Sequence, residues 1–123
     1  MHDQLRIRQA VDFLEQNLDQ PISLDTLAEV GCYSKYHFHR LFCAGKGMST
    51  AEYIQLARLK RASFRLAFEK QMKIIEVAQE AGFEAPESFS RAFKRRFNVS
   101  PSQFRHEPDW PAWHSEFEQP IAN

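Results

Sequence analysis

Two stretches of this chain are versions of one another, and that repeat limits the folds open to it. Leu27, Ala28 and Tyr33 stand 50 residues before Val77, Ala78 and Phe83. Phe38, Arg40, Phe42, Ser49 and Tyr53 stand 51 residues before Phe89, Arg91, Phe93, Ser100 and Phe104. The turn residues correspond as well, with Cys32 opposite Gly82 and Gly47 opposite Asn98. The offset changes by one because the second turn carries one extra residue. Each copy reads as a short apolar helix, a tight turn and a second helix with apolar residues on one side and arginine on the other, which is the helix-turn-helix pattern. One such hairpin is common among helical proteins. Two copies in register with their caps are a much narrower signal.

The second copy shows the chemistry most clearly in PESFSRAFKRRF, residues Pro86–Phe97. At 100° per residue Phe89, Ala92, Phe93 and Phe97 fall on one side, and Glu87, Arg91, Lys94 and Arg95 on the other. Ser88 and Ser90 lie on the flanks. Proline suits the first turn, where its missing N–H has no intrahelical partner. In the first copy Phe38, Leu41 and Phe42 face one way and Tyr36, Arg40 and Cys43 the other, with His37 and His39 on the flanks.

The remaining punctuation predicts about seven helices and an all-α fold. A helix over residues 5–18 carries Ile7, Ala10, Val11, Leu14 and Leu18 on one stripe and ends before Pro21, because the residue preceding proline is pushed out of the α region. Ser23 and Ser34 are placed to cap the two helices of the first copy. The capping-box sequence STAE, residues 49–52, starts a long helix reaching about residue 68, with Arg58, Lys60, Arg61 and Arg65 expected on its exposed side. A second capping box runs from Ser100 to Gln103. The expected organisation is a first helix-turn-helix subdomain at 4–48, a linking helix at 49–68, a second subdomain at 69–107, and at 108–123 an acidic aromatic tail or linker carrying Trp110, Trp113 and Phe117.

Formal charge is zero over 123 residues, yet it is distributed in blocks: −4 over 1–33, +6 over 34–65, −1 over 66–83, +3 over 84–105 and −4 over 106–123. Two basic segments between acidic ones are the footprint of a polyanion partner. No apolar run approaches transmembrane length and MHDQLRIRQ has no signal-peptide core. With only Cys32 and Cys43, no disulfide framework is available, which suits a reducing cytoplasm. No nucleophile–base constellation, glycine-rich phosphate loop or carboxylate pair supports an enzyme, and no cofactor is expected. A zinc site from Cys32, His37, His39 and Cys43 matches no common ligand spacing, and His37 and His39 cannot share a helical face.

At LAEVGCYSKYHFHRLF (27–42), GMSTAEYI with ARLKRA (47–54 and 57–62) and IIEVAQEAGFEAPESFSRAFKRRFNVSPSQFR (74–105), the chain resembles the DNA-binding region of the AraC/XylS family of bacterial transcription regulators. The last stretch matches the family's signature region. The resemblance implies seven helices in two helix-turn-helix subdomains joined by a linking helix, with the third and sixth helices entering major-groove segments of double-stranded DNA. It also implies RNA polymerase as a partner, and an effector-sensing domain following Asn123 in a longer parent chain unless the chain is a stand-alone short regulator. Cys32 replaces a commoner small residue, a change expected to matter little. Pro86 and Glu87 stand where relatives often carry groove-contacting polar residues, so specificity does not transfer.

Carried onto this sequence, base-reading candidates are Tyr36, His39 and Arg40 in the first half and Glu87, Ser88, Ser90 and Arg91 in the second. Arginine pairs bidentately with guanine, glutamate accepts from cytosine N4 and serine contacts several base edges. Lys35, Lys46, Arg58, Lys94 and Arg95, with the helix N-termini at Ser49 and Ser100, suit phosphate oxygens, which set register and give salt-dependent affinity. A linking helix from Thr50 to Leu66 spans roughly 25 Å at ~1.5 Å per residue, short of the ~34 Å between successive major-groove segments on one DNA face. A single chain is therefore expected either to contact both segments by bending the DNA or to engage one half weakly. The competing reading is a helical protein–protein interaction module without specific DNA binding. Target sequence, effector and sign of regulation are not encoded legibly.

Overall fold

The computed structural model describes residues 2–118, with side chains for residues 3–115. These residues form eight α-helices: α1 (His2–Gln16), α2 (Leu24–Val30), α3 (Lys35–Lys46), α4 (Thr50–Phe68), α5 (Ile74–Glu80), α6 (Pro86–Phe97), α7 (Pro101–His106) and α8 (Trp110–Glu118). The chain divides into two compact units between Ala57 and Arg58, inside α4.

The first unit packs α1 against α2 and α3, closing on the start of α4. Its core is Ala10, Val11 and Leu14 of α1 and Leu18 just beyond its end, with Leu27, Ala28, Phe38, Phe42 and Ile54. The apolar residues of α1 recur at three- and four-residue intervals, so one helical face is buried while Asp12 and Glu15 remain exposed. The helix stops at Gln16, and the Asn17 side-chain amide donates to the Phe13 carbonyl at 2.8 Å, satisfying one of the orphan acceptors at its end. Tyr53 crosses edge-on to Phe42, and its hydroxyl donates to Glu15 at 3.4 Å. Burial, then the Glu15 and Asp12 carboxylates, push this phenol up to about 12.

The second unit holds the rest of α4 and α5–α8. Leu59, Ala62 and Leu66 pack with Val77, Ala78, Phe89, Phe93, Phe104 and Trp113. The last of these comes from the tail. Residues 110–118 are not a linker but a helix, whose first turns lay Trp110 beside Phe104, Phe64 and Phe68. Trp113 buries its ring, and its indole N–H donates to Ser63 Oγ at 2.8 Å, while Ser63 Oγ donates to the Lys60 carbonyl at 2.6 Å. A serine on the apolar side of α4 and an indole N–H each require a partner when buried. Here they satisfy one another. Phe117 and Pro120 lie outside the described side chains.

Arg105 is the other residue whose role the sequence hid. Its guanidinium donates to three backbone carbonyls, Leu66 at 2.9 Å, Met72 at 2.7 Å and Glu69 at 3.2 Å. The end of α4 leaves carbonyls without helical partners, and a cation there satisfies both the hydrogen bonds and the helix dipole. Lysine offers a point charge in place of a planar fork. Arg105→Lys is therefore expected to lower the stability of the second unit by about 1–2 kcal/mol, read as a shift in the urea midpoint of tryptophan fluorescence.

The two turns are the same motif down to their hydrogen bonds. Tyr33 N–H donates to the Ala28 carbonyl and Cys32 N–H to Glu29; Phe83 N–H donates to Ala78 and Gly82 N–H to Gln79. This is the Schellman arrangement, which requires a left-handed residue after the helix. Gly82 takes φ +88° without a Cβ, whereas Cys32 takes φ +61° with one. The cysteine is therefore not neutral at this turn: its Cβ crowds the backbone in that conformation. Cys32→Gly is expected to stabilise the first unit by about 1 kcal/mol, and Gly82→Ala to destabilise the second by a similar amount, both measured by denaturant unfolding. Gly47 and Asn98, as the repeat anticipates, end α3 and α6 at φ +72° and +65°.

Candidate nucleic-acid interface

Each candidate reading helix is anchored by a pair of phenylalanines four residues apart. Phe38 and Phe42 of α3 and Phe89 and Phe93 of α6 are all 0% exposed. With that face fixed in a core, the helical period turns the residue midway between each pair, Arg40 or Arg91, outward.

In the first unit Ser34 caps α3, its Oγ accepting from His37 N–H at 3.2 Å. Lys35, Tyr36, His39 and Arg40 border one open hollow of about 820 Å³, completed by Ser34 and by Leu24 of α2. Tyr36 is 81% exposed. The structure thus brings together all three base-reading candidates of the first half and one phosphate candidate. Lys35 makes a loose exposed ion pair with Asp25 at 3.7 Å, a contact worth little in water. Lys46, at the far end of α3, lies over the Tyr53 ring at 5.7 Å. Cys43, one turn beyond His39, places its Sγ 3.7 Å from Nε2 and 3.9 Å from Nδ1 of that imidazole.

In the second unit Glu87, Ser88, Arg91, Lys94 and Arg95 of α6 are exposed and Ser90 is half-buried. The N-cap Ala85 offers no side-chain acceptor, so the first turn of α6 is held by Pro86 at N1 and by packing of Phe89 against Phe83. Among the described residues Arg40, Arg91, Lys94 and Arg95 have no ion-pair partner.

The basic residues of α4 behave differently. The sequence places Arg58, Lys60, Arg61 and Arg65 on an exposed face, yet only Lys60 is exposed. Arg61 donates to the Glu80 carbonyl at 3.1 Å, Arg65 pairs with Glu80 and with Glu69, and Lys60 lies over the Trp113 ring at 5.6 Å. A Cβ added to Gly82 would stand 3.2 Å from Arg58 Nη1, so that guanidinium occupies the space beneath the second turn. Burial, then neighbouring Arg61, lower the Arg58 pKa. Much of the +6 charge of residues 34–65 is therefore spent inside the protein. Ser49 and Ser100 are likewise engaged: Ser49 Oγ donates to Glu52 at 3.1 Å and accepts from its N–H, and Ser100 Oγ accepts from Gln103 N–H at 3.1 Å.

No cluster of three or more His, Cys, Asp or Glu side chains suited to a metal occurs among the described residues, and no described helix is long and apolar enough to cross a membrane. Two helix-turn-helix units, each showing an arginine at the matching position of an outward helix face, define the DNA-binding module of a transcription regulator.

Known proteins agree. A helix-turn-helix domain family matches residues 27–107. The chain is 38% identical over 104 residues to the TetD protein of transposon Tn10 from Escherichia coli, covering 85% of this chain and 75% of that protein. It is 31% identical over 105 residues to the regulatory protein SoxS of Salmonella typhimurium, covering 85% and 96%. Against the right origin-binding protein of Escherichia coli it is 36% identical over 107 residues, 87% of this chain but only 37% of that longer protein. Among solved structures, an AraC-type regulator from Chromobacterium violaceum superposes with a TM-score of 0.77 at 28% identity, covering 86% of this chain and 96% of its own. The DNA-binding domain of AdpA, solved with a target DNA, shares the fold at a TM-score of 0.71 and 23% identity, covering 92% and 96%. This chain belongs to the AraC/XylS family of transcription regulators.

Proposed function

We propose that the protein binds a specific double-stranded DNA site by laying α3 and α6 into two major-groove segments, and thereby regulates transcription. The observation that carries this is the pairing of Arg40 with Arg91: the repeat puts them at equivalent positions, both are exposed, and neither has an ion-pair partner among the described residues. A guanidinium left unpaired in solvent opposite a fully buried phenylalanine pair is placed for a ligand rather than for stability. Tyr36, His39 and Arg40 read base edges from α3, and Glu87, Ser88, Ser90 and Arg91 from α6. Lys35, Lys46, Lys94 and Arg95 hold phosphates; Ser49, Ser100 and Arg58 enter this role with part of their hydrogen-bonding capacity already used within the protein. Because the two reading faces differ in residue type, a single chain prefers an asymmetric site to a palindrome. RNA polymerase is the second partner of such a regulator and the cytoplasm its compartment; an effector-sensing domain supplies its input where a longer parent chain carries one, and a stand-alone short regulator is the alternative. It does no covalent chemistry of its own.

The test is the salt dependence of binding to a duplex selected from random DNA, followed by fluorescence anisotropy. With four phosphate contacts the log–log slope against salt is expected near −4. Selection that enriches no site, or binding indifferent to salt, would mean that the folded module serves protein contacts instead.

A further inference from the structure

The outward face of α3 carries a pair of metal-ligating side chains that base reading does not require. Cys43 and His39 are one turn apart, so the helix presents both on the same side. Their donors already stand 3.7 Å (Nε2) and 3.9 Å (Nδ1) from Sγ. The thiol is partly accessible and free of any disulfide, and the imidazole is exposed. No third His, Cys, Asp or Glu joins them among the described residues.

That last fact selects the ion. Zinc in a protein site takes four ligands, at least three of them from side chains, and magnesium or calcium takes oxygen. A monovalent copper ion is soft, prefers thiolate and imidazole, and is satisfied by two donors in a near-linear arrangement. Such an ion sits between donors about 4 Å apart, twice a metal–ligand bond of about 2 Å. The observed spacing is close to that value, and a turn of the exposed imidazole about its Cβ–Cγ bond aims one ring nitrogen at the sulfur.

We propose that His39 and Cys43 form a two-coordinate site for Cu(I) on the DNA-reading face of α3, and that copper and DNA exclude one another there. On binding, the Cys43 thiol releases its proton to solvent and its sulfur forms one bond to the ion, while an unprotonated ring nitrogen of His39 forms the other. No electron is transferred. Because the ion replaces the thiol proton, net charge is unchanged; the ion withdraws the imidazole from base contact and adds bulk between Tyr36 and the phosphate-binding end at Lys46. The exclusion rests on the groove-reading role of α3; the copper site itself does not.

The test uses the whole chain with Cys32→Gly, which removes the other thiol at a position glycine suits. Under anaerobic reducing conditions, Cu(I) is partitioned against the coloured chelator bathocuproine disulfonate, without DNA. One copper per chain is expected, with Cys43→Ser and His39→Ala each weakening binding at least tenfold. Unchanged affinity in His39→Ala would reduce the site to a bare thiolate and overturn the chelate, as would unchanged affinity in Cys43→Ser. Gel shifts on the selected duplex then read the exclusion. Copper should raise Kd at least tenfold with Cys43 present and leave it unchanged in Cys43→Ser; an equal effect on both proteins, or none on either, refutes the exclusion. A chain that chelates copper yet binds no selected duplex refutes the groove reading and the exclusion with it, and leaves the copper site standing on its own measurement.

Discussion

Phe93→Ala is expected to destabilise the second unit by about 3–5 kcal/mol, the usual cost of emptying a fully buried phenylalanine site. Phe93 is the hub of the aromatic core, its ring centroid 5.7 Å from Phe89, 4.3 Å from Phe97 and 5.6 Å from Phe104. Those partners sit on α6 and α7, so a cavity at Phe93 loosens both helices together. Domains of this size have total stabilities of about 5–15 kcal/mol, so the loss is a large fraction of what holds the unit. Both tryptophans of the chain, Trp110 and Trp113, lie in this unit. Tryptophan fluorescence in urea therefore reports it alone, while far-ultraviolet circular dichroism reports both. The fluorescence transition should move to much lower urea in Phe93→Ala, with helical signal from the first unit persisting beyond it. The first unit has a separate buried cluster to sustain it. A fluorescence shift worth less than about 1 kcal/mol would mean that α6 is held by something other than its phenylalanines.

Combining Arg40→Ala with Arg91→Ala is the corresponding test of function. Each bidentate arginine–guanine contact contributes about 1–3 kcal/mol of discrimination, and the two residues lie in different units, where losses are expected to add. The double variant should thus lose about 2–6 kcal/mol of specific affinity and tolerate base changes at two positions of the selected site. Its affinity for unrelated duplex should fall far less. Lys94→Ala is the control: it should weaken binding to every sequence alike and make the salt slope shallower by about 1. All of these groups are exposed, so unfolding curves should stay within about 0.5 kcal/mol of the parent. Arginine and lysine variants that behaved alike would remove the distinction between readers and positioners.

Helices α3 and α6 are legible in the sequence because their evidence is local. Phe38 and Phe42, or Phe89 and Phe93, bury one side of a helix, and the 3.6-residue period then decides where Arg40 and Arg91 point. The caps were legible for the same reason: Ser23, Ser34, Ser49 and Ser100 each accept a hydrogen bond from an N–H three residues on. The α4 cations were misread because a helical angle names a face without saying what lies against it. Arg61 and Arg65 meet Glu80, and Arg58 meets the Gly82 turn, across separations that no periodicity records. In the tail, prolines and acidic residues suggest a linker, and no periodicity announces the helix at Trp110–Glu118. Pro111 instead occupies the first turn of α8, where proline is tolerated, and Trp113 finds an acceptor in Ser63.

By itself, then, the sequence determined that this protein is all-helical, that it is built from one helix-turn-helix unit used twice, and which residues the second helix of each unit turns outward. Those properties depend on contacts within a few residues and on backbone rules for caps and turns. Only the tertiary structure decided which positive charges are available to a ligand, because availability depends on what folds against each one. Arg58, Arg61, Arg65 and Arg105 are committed to carbonyls, carboxylates and a glycine turn, whereas Arg40, Arg91, Lys94 and Arg95 stand unpaired among the described residues. It likewise decided that Cys43 meets His39, and that the tail belongs to the second core.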